Sequence, residues 1–282
     1  MVKIVTDSTS DVPAELAARY DISVVPVIIE VDGATQLDGI TLTRQQFYTN
    51  LESYRELPKT AAPSPDVFAG VYRKAQAAGA DQIVSIHLNR RFSGLCGAAE
   101  MAAQEVLADG LSVHVIDSET VTMGLGWLVI TAAQMAQQGA GVKEIADRIL
   151  SLRSHMRIYA LIDTLRYLRK GGRASALVAG IGDMLQIKVL INVRGGNVEQ
   201  IDRIRTRRRG IDRLLEVAQS HRGVQHLSIL YTTLKEENDI AQFQSSLSHV
   251  MPVERQYSMQ ITPVIGTHVG PLAIGVAMAV DV

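Results

Sequence analysis

The first half of the chain alternates short apolar runs with stretches of helical periodicity. Runs of strand type, rich in β-branched residues, occur at Val2–Thr6, Ile22–Val31, Gln82–His87 and Ser112–Ile116. Helical patterns lie between and after them, at Ala14–Tyr20, Thr43–Glu52, Asp66–Ala78, Ser93–Leu107, Met123–Gln138 and Val142–Ser154. Strands that alternate with helices pair in parallel through crossover connections, so this half predicts an α/β domain with a parallel sheet.

The second half has a different order of predicted strands and helices. Strand-type runs are predicted at Lys188–Val193, Asn197–Ile204, His226–Tyr231, Val253–Tyr257 and Leu272–Val280. Helices are predicted at Asp163–Lys170, Ser175–Leu185, Arg207–Ser220 and Glu236–Leu247. The first two runs flank Arg194-Gly195-Gly196, which indicates a β-hairpin. We therefore expect an α/β fold of two domains: residues 1–158 with a parallel sheet, and residues 159–282 as an α+β domain with a mixed or antiparallel sheet.

Composition and charge narrow the class of protein. The chain is 47% apolar and 20% charged, which is typical of a globular protein. Its formal net charge of -1 gives it no overall attraction to nucleic acid or to an anionic membrane. The single cysteine, Cys96, can form neither an internal disulfide nor a cysteine-based zinc site, which favours a reducing compartment and a cytoplasmic location.

No apolar stretch predicts a signal peptide or a membrane span. The N-terminus passes from one lysine straight into a strand-like run. The most apolar stretch, Met123–Met135, is shorter than the roughly 20 residues that a span requires. We interpret it as a buried helix.

Polar residues recur where the apolar strands end, which is where open α/β sheets bind ligands. They are Asp7-Ser8-Thr9, Thr60, Ser93-Gly94 and Asp117-Ser118. Ser93-Gly94 begins a helix, so its hydroxyl and the free N–H groups behind it could hold a carboxylate or a phosphate; a plain N-cap is the alternative. Thr60, in the predicted loop Pro58–Pro65, offers a second hydroxyl, or else a turn hydrogen bond. Asp117 and Ser118 fit a strand end and a helix cap equally well.

His268 and the arginines are further candidates. His268 lies in a glycine-bracketed turn before the last strand and could donate a hydrogen bond to an anion, although such a histidine is more often structural. The basic stretch Arg203–Arg213 contains no aromatic residue and Arg166–Arg173 contains only Tyr167, so neither is interleaved with aromatic residues as a nucleic-acid platform would be. Binding of these stretches to a phosphorylated or acidic protein partner is the alternative that stays open.

Familiar enzyme motifs are missing from the sequence. It contains no Walker loop, no G-x-G-x-x-G after a strand, no H-E-x-x-H and no G-x-S-x-G. Cys96 has an apolar, helical setting that favours packing over nucleophilic attack. No cluster of ligands predicts a metal site.

Several segments together resemble the DegV family, in the family's order and over nearly the whole chain. They are Val5–Asp11, Lys59-Thr60, Pro63–Pro65, Phe92–Gly94, Val115–Ser118, Met123–Gly126, Asp163–Leu165, Gly171–Arg173, Ile204–Arg207 and His268–Pro271. The chain departs from the family pattern at Ala61-Ala62 and at Leu95-Cys96-Gly97, beside the two hydroxyls. Each segment alone is weakly specific, but their joint order and spacing identify the chain as a member.

The resemblance implies a two-domain fatty-acid binder with the ligand between its domains. It implies that Thr60 and Ser93, with Gly94, contact the carboxylate, and that His268 and Arg205 support the site. It also implies that a separate fatty-acid kinase phosphorylates the bound acid, so this chain would be a carrier without a catalytic residue, cofactor or metal. Transient membrane contact is compatible with that role.

Two other functions stay open. One is an enzyme that acts on a small phosphorylated or carboxylated metabolite through Asp7 and Asp117. The other is a regulator that binds nucleic acid through Arg203–Arg213.

Overall fold

The computed structural model describes residues 1–172, 187–234 and 239–281. Its strands are β1 (Val2–Asp7), β2 (Ser23–Val25), β3 (Ile28–Val31), β4 (Ala34–Leu37), β5 (Lys59–Ala61), β6 (Gln82–His87), β7 (Ser112–Asp117), β8 (Met156–Ile162), β9 (Lys188–Arg194), β10 (Asn197–Ile204), β11 (Val224–Tyr231), β12 (Tyr257–Gln260) and β13 (Ile274–Val280). Its helices are α1 (Ala14–Arg19), α2 (Arg44–Asn50), α3 (Pro65–Ala77), α4 (Leu95–Leu107), α5 (Met123–Gln137), α6 (Val142–Arg153), α7 (Arg166–Lys170), α8 (Arg207–Gln219), α9 (Asp239–Ser246) and α10 (Pro263–Val269).

The first sheet confirms the parallel arrangement predicted for the N-terminal half. Its four strands lie in the order β2-β1-β6-β7, and every neighbouring pair is parallel. Because the strands are parallel, their carboxyl ends meet at one edge of the sheet. Asp7 and Asp117 lie at that edge, as expected from the sequence.

A three-stranded antiparallel sheet was not predicted. It has the order β4-β3-β5, and β5 lies within residues 58–65, which the sequence analysis assigned to a loop. A strand of only three residues carries almost no periodic signal, and its pairing with β3 is a contact between distant parts of the chain. The correction matters because β5 contains Thr60.

The second sheet is mixed, as predicted for the C-terminal half. Its six strands lie in the order β10-β9-β8-β13-β11-β12, and of these pairs only β11 with β12 is parallel. The predicted hairpin is confirmed: Gly195 and Gly196 both have positive φ, at 54° and 74°, which suits a tight turn between β9 and β10. The expected domain boundary at residue 158 falls within β8, which pairs in this sheet from Met156 onward.

Helix α5 lies between the two large sheets. It contacts β1 and β6 on one side and β8 and β13 on the other, and most of its residues are buried. A Cβ atom at Gly126 would lie 2.6 Å from the carbonyl oxygen of Ser10, so only glycine lets the helix approach this closely. The interpretation of this apolar stretch as a buried helix is confirmed.

Other elements correct or limit the sequence predictions. The strand expected at Val253–Tyr257 is a short 3₁₀ turn, Val253–Arg255, and the strand β12 follows it. The residues before β13 form α10 rather than a glycine-bracketed turn, because Thr262 caps the helix and Pro263 occupies its first position. The helix predicted at Ser175–Leu185 lies outside the described residues.

Candidate functional site

An apolar cavity of about 260 Å³ lies between the two halves of the chain. Its walls come from the segment before β3, from β5, from the loop that precedes α4, from the β9–β10 hairpin and from α10. The lining side chains are Val27, Thr60, Ala61, Ala62, Leu88, Phe92, Ser93, Leu95, Val121, Leu168, Ile191, Val193, Val198, Val264, Ile265, His268 and Val269, with Gly94. Almost all are apolar, and the three exceptions are Thr60, Ser93 and His268.

A second, narrower cavity of about 70 Å³ adjoins the first. Five residues line both, and they are Val121, Ile191, Val193, Ile265 and Val269. The second cavity extends toward β8 and β13, where Ala160, Ala273 and Gly275 leave space. None of the three polar side chains of the first cavity lines the second, so the polar residues lie away from the second cavity.

Thr60 faces inward from β5. Its partner in the antiparallel register is Ile29, which is completely buried, and directly opposite residues point to the same face of a sheet. The neighbouring Lys59 and Ala61 are exposed, as the alternation along a strand requires. The Thr60 hydroxyl lies 2.9 Å from Nε2 of His268, so β5 and α10 meet at this hydrogen bond.

Ser93 and Gly94 lie at the start of α4, as predicted. Gly94 is the N-cap residue and no side chain caps the helix, so the Ser93 hydroxyl is not used as a plain cap. Both residues line the apolar cavity. A hydroxyl beside the free N–H groups of a helix N-terminus can donate hydrogen bonds to a carboxylate together with them.

His268 is placed by the packing of α10. It is half-buried, lies in the last turn of the helix, and lines the cavity together with Thr60. A Cβ atom at Gly171 would lie 2.7 Å from Nδ1 of His268, so the glycine after α7 leaves room for the imidazole. The structure thus brings Thr60, Ser93, Gly94 and His268 to one cavity.

Arg205 is not brought to this cavity. It is exposed and lines a separate charged cleft together with Asp202 and Arg209. The preceding Ile204 ends β10 and is buried, and successive side chains of an extended segment point to opposite faces. The half-buried arginine of this segment is Arg207, which lies 3.3 Å from a carboxylate oxygen of Asp163.

A basic cleft of about 630 Å³ lies on the other side of the Thr60–His268 hydrogen bond. It shares these two residues with the apolar cavity. The remaining charged residues on its wall are four cations and one acid: Arg55, Lys59, Arg166, Lys170 and Glu56. An anionic group at Thr60 and His268 would therefore have a positive potential beside it.

Asp7, one of the two carboxylates of the alternative enzyme site, is inaccessible to a ligand. Asp7 is fully buried and accepts hydrogen bonds from His87 Nδ1 at 2.9 Å and from the Leu88 N–H at 3.1 Å. The other ring nitrogen of His87 lies 2.6 Å from the Ser85 hydroxyl, so the three side chains follow the order of a serine-hydrolase triad. All three have no exposed surface and none lines the apolar cavity or the basic cleft, so the chain of hydrogen bonds is structural.

Asp117 and Cys96 also have structural roles. Asp117 pairs with Arg90 at 3.2 Å and accepts a hydrogen bond from the Glu119 N–H at 3.0 Å. Burial raises the pKa of the Cys96 thiol to about 12, so it stays protonated and does not act as a nucleophile. These contacts leave the apolar cavity as the site with the clearest capacity to bind a ligand.

Sequence reasoning missed the hairpin wall of this cavity. Ile191 and Val193 on β9 and Val198 on β10 face it, and the hairpin tip docks on the first half through Asn89, whose amide donates to the Gly196 carbonyl at 2.9 Å. The alternation of apolar residues along the hairpin was visible in the sequence. What that face covers depends on contacts between residues about a hundred positions apart.

Two structural features are absent from residues 1–172, 187–234 and 239–281. Across these ranges no three His, Cys, Asp or Glu side chains are grouped as a metal would require. In the same ranges no helix combines the length and the apolar character needed to cross a bilayer.

Comparison with known proteins gives a consistent result. The family described as "Uncharacterised protein, DegV family" matches residues 1–281. A DegV domain-containing protein of Deinococcus radiodurans is 34% identical over 280 residues, with 98% of each chain covered. A fatty-acid-binding DegV family protein of Thermus thermophilus has a solved structure that is 28% identical, with 99% of each chain covered and a TM-score of 0.88. DegV of Bacillus subtilis, a fatty acid binding protein, is 27% identical with the same coverage and TM-score. These structures confirm the predicted α/β fold.

Proposed function

This chain belongs to the DegV family, and from that membership we propose that it binds a long-chain fatty acid in the apolar cavity. The observation that carries the proposal is a cavity with apolar walls and three polar side chains, Thr60, Ser93 and His268, which do not extend into the adjoining second cavity. This distribution matches an amphiphile with one polar head and a long tail.

The energetics of such binding are consistent. Burial of about 12 methylene groups at roughly 0.8 kcal/mol each contributes on the order of 10 kcal/mol before the cost of ordering the chain. A carboxylate removed from water without hydrogen bonds would cost several kcal/mol. The Thr60 and Ser93 hydroxyls and the first N–H groups of α4 offset that cost, so the tail supplies affinity and the head sets the orientation.

The proposal extends to a carrier that presents the bound acid to a separate fatty-acid kinase, without catalysing the reaction itself. The basic cleft supports this step, because it lies directly outside Thr60 and His268 and would attract a phosphate-bearing reactant or an acidic partner surface. We place the protein in the cytoplasm, in keeping with its single unpaired thiol.

Protein purified from a bacterial host is expected to contain acyl chains in its cavity. Extraction under denaturing conditions followed by mass spectrometry would identify them. Protein stripped of lipid should then bind a long-chain fatty acid with micromolar affinity or better. Absence of both co-purified lipid and such affinity would disprove the proposal.

A test of the carrier role needs the kinase of the same host. Added to the loaded protein with ATP, the kinase should form acyl phosphate, and the carrier with ATP alone should form none. Acyl phosphate made by the carrier alone would show that this chain is itself the enzyme.

A further inference from the structure

A buried cluster of charges joins the N-terminal half of the chain to α10. It consists of Asp11, Asp38 and Arg44, and we call it the Asp11 clasp. Asp11 and Asp38 are only 2% and 5% exposed. The Arg44 guanidinium lies 2.9 Å from Asp11 Oδ1, and about a third of the Arg44 side chain reaches solvent. Two buried carboxylates thus share one cation.

The clasp holds the three residues that lead into α10. The Thr262 N–H donates to Asp11 at 2.8 Å, and the Thr262 hydroxyl donates to Asp38. The Arg44 guanidinium donates to the carbonyl oxygen of Gln260. The same segment accepts a hydrogen bond from the Tyr48 hydroxyl at the Ile261 carbonyl, at 3.0 Å. Polar groups from the first 48 residues therefore fix the position at which α10 begins.

Helix α10 in turn carries one wall of the cavity. Val264, Ile265, His268 and Val269 all line it, and His268 contacts Thr60 across it. The helix packs so closely on Tyr48 that a Cβ atom at Gly266 would overlap the phenol ring. Movement of the start of α10 would consequently move His268 relative to Thr60.

The protonation state of the clasp changes near neutral pH. Burial, with a smaller contribution from the Asp38 charge, raises the pKa of Asp11 from its ordinary 3.8 to about 7, although Arg44 opposes the shift. Burial also raises the pKa of Asp38, with Asp7 adding to the effect and hydrogen bonds from Ser8 and Thr262 opposing it. Burial holds the pKa of Tyr48 well above its usual range, so this phenol stays neutral.

The two oxygens of Asp11 differ in their contacts, and Oδ2 is the one that can carry a proton. Asp11 Oδ1 accepts from Arg44 and Thr262, whereas Oδ2 is buried and lacks a hydrogen-bond partner within the described part of the chain. With Oδ2 protonated, the Arg44 charge balances Asp38. Without that proton, the buried cluster holds an uncompensated negative charge, which is costly away from water.

We propose that Asp11 and Arg44 are positioning residues for the fatty-acid carboxylate, acting through α10, and that uptake of one proton by the clasp tightens the site. This inference rests on the proposed function, since it concerns how the same cavity is regulated. Proton binding at Asp11 and acid binding at Thr60 and Ser93 are then coupled. Each increases the affinity of the protein for the other by the same factor.

The direction of the pH effect follows from linkage. Above a pH of about 4 the unfolded chain has lost the Asp11 proton, whereas the folded chain keeps it up to about pH 7. The contribution of Asp11 to the free energy of unfolding is therefore complete below about pH 4 and is lost as the pH rises through 7. Fatty-acid affinity that depends on the clasp weakens over the upper part of the same range.

Affinity for the fluorescent polyene cis-parinaric acid, measured at about pH 6 and about pH 8, tests the inference. We expect the dissociation constant of the wild-type protein to rise by at least about fivefold between them. Asp11→Asn, which keeps the shape without the titration, should remove most of that rise. The matched control Asp109→Asn changes an exposed carboxylate paired with Arg73 and should retain it. Equal pH dependence in Asp11→Asn and wild type would overturn the inference.

Asp38→Asn provides a second variant should Asp11→Asn fold poorly. It removes the negative charge that raises the pKa of Asp11, so the midpoint of the affinity change should move to lower pH; an unmoved midpoint would contradict the clasp. Thermal unfolding of lipid-free protein over the same pH range measures how the clasp contributes to stability in the absence of ligand. Failure of every protein to bind the polyene would instead contradict the proposed function.

Discussion

Replacement of Thr60 and Ser93 together by alanine is expected to weaken fatty-acid binding by at least about a hundredfold. Each hydrogen bond to a charged group contributes roughly 1.5–3 kcal/mol, and removal of both donors leaves a buried carboxylate with the α4 N–H groups and His268 alone. Both residues line the cavity; the Ser93 hydroxyl does not cap α4, and the Thr60 hydroxyl contacts His268 of α10. Titration of stripped protein with a long-chain fatty acid measures the effect.

Chemical and structural controls distinguish the contribution of the head group to the affinity from that of the tail. The fatty alcohol of equal length lacks the carboxylate charge, so its affinity should fall far less in the double variant. Thr60→Ser and Ser93→Thr keep the hydroxyls and should retain most of the affinity. The control pair Thr35→Ala and Ser112→Ala alters two exposed strand residues and should bind normally. Unchanged acid binding in the double variant would place the carboxylate elsewhere.

The sequence predicted the parts of this site that depend on local pattern. Ser93-Gly94 was placed at a helix start because the apolar periodicity begins just after it, and the Gly195-Gly196 hairpin follows from turn chemistry. The sequence also indicates Thr60 as a candidate hydroxyl, but it predicts a loop rather than a strand at this position. Its orientation comes from pairing with Ile29, a contact that no local pattern encodes.

The errors around α10 have a different origin. Gly266 and Gly270 suggested a turn, although Thr262-Pro263 is a typical helix start. Gly266 is there because Tyr48 occupies the space of a side chain, which is a tertiary requirement. The position of Arg205 could have been predicted better from the sequence, because the apolar Ile204 before it indicates which face of the strand is buried. The Asp11 clasp depends on residues more than 200 positions apart and was beyond sequence reasoning.

For a fatty acid bound as proposed, we expect the second cavity to set a threshold of chain length. A short acyl chain can be accommodated in the first cavity alone, whereas a longer chain must pass the five residues common to both cavities. Ala160 on β8 lines the second cavity, and its Cβ already occupies the space beside Gly275. A larger side chain at residue 160 would therefore fill the second cavity and leave Thr60 and Ser93 untouched.

Ala160→Leu is expected to weaken binding of an 18-carbon acid by roughly two-hundredfold while changing that of a 12-carbon acid by less than about threefold. Exclusion of about four methylene groups at roughly 0.8 kcal/mol each accounts for the difference. Ala273→Leu, on another wall of the same cavity, should act in the same direction. Ala18→Leu on the exposed surface of α1 is the matched control and should alter neither affinity.

The ratio of the two dissociation constants is the decisive quantity, because a general loss of stability would weaken both acids together. Selective loss of the longer acid requires that its tail extend past Val121 and Ile265 toward β13. An equal loss for both lengths, or none for either, would show that the acyl chain does not enter the second cavity. That outcome would confine the bound acid to the first cavity, where Thr60, Ser93 and His268 lie.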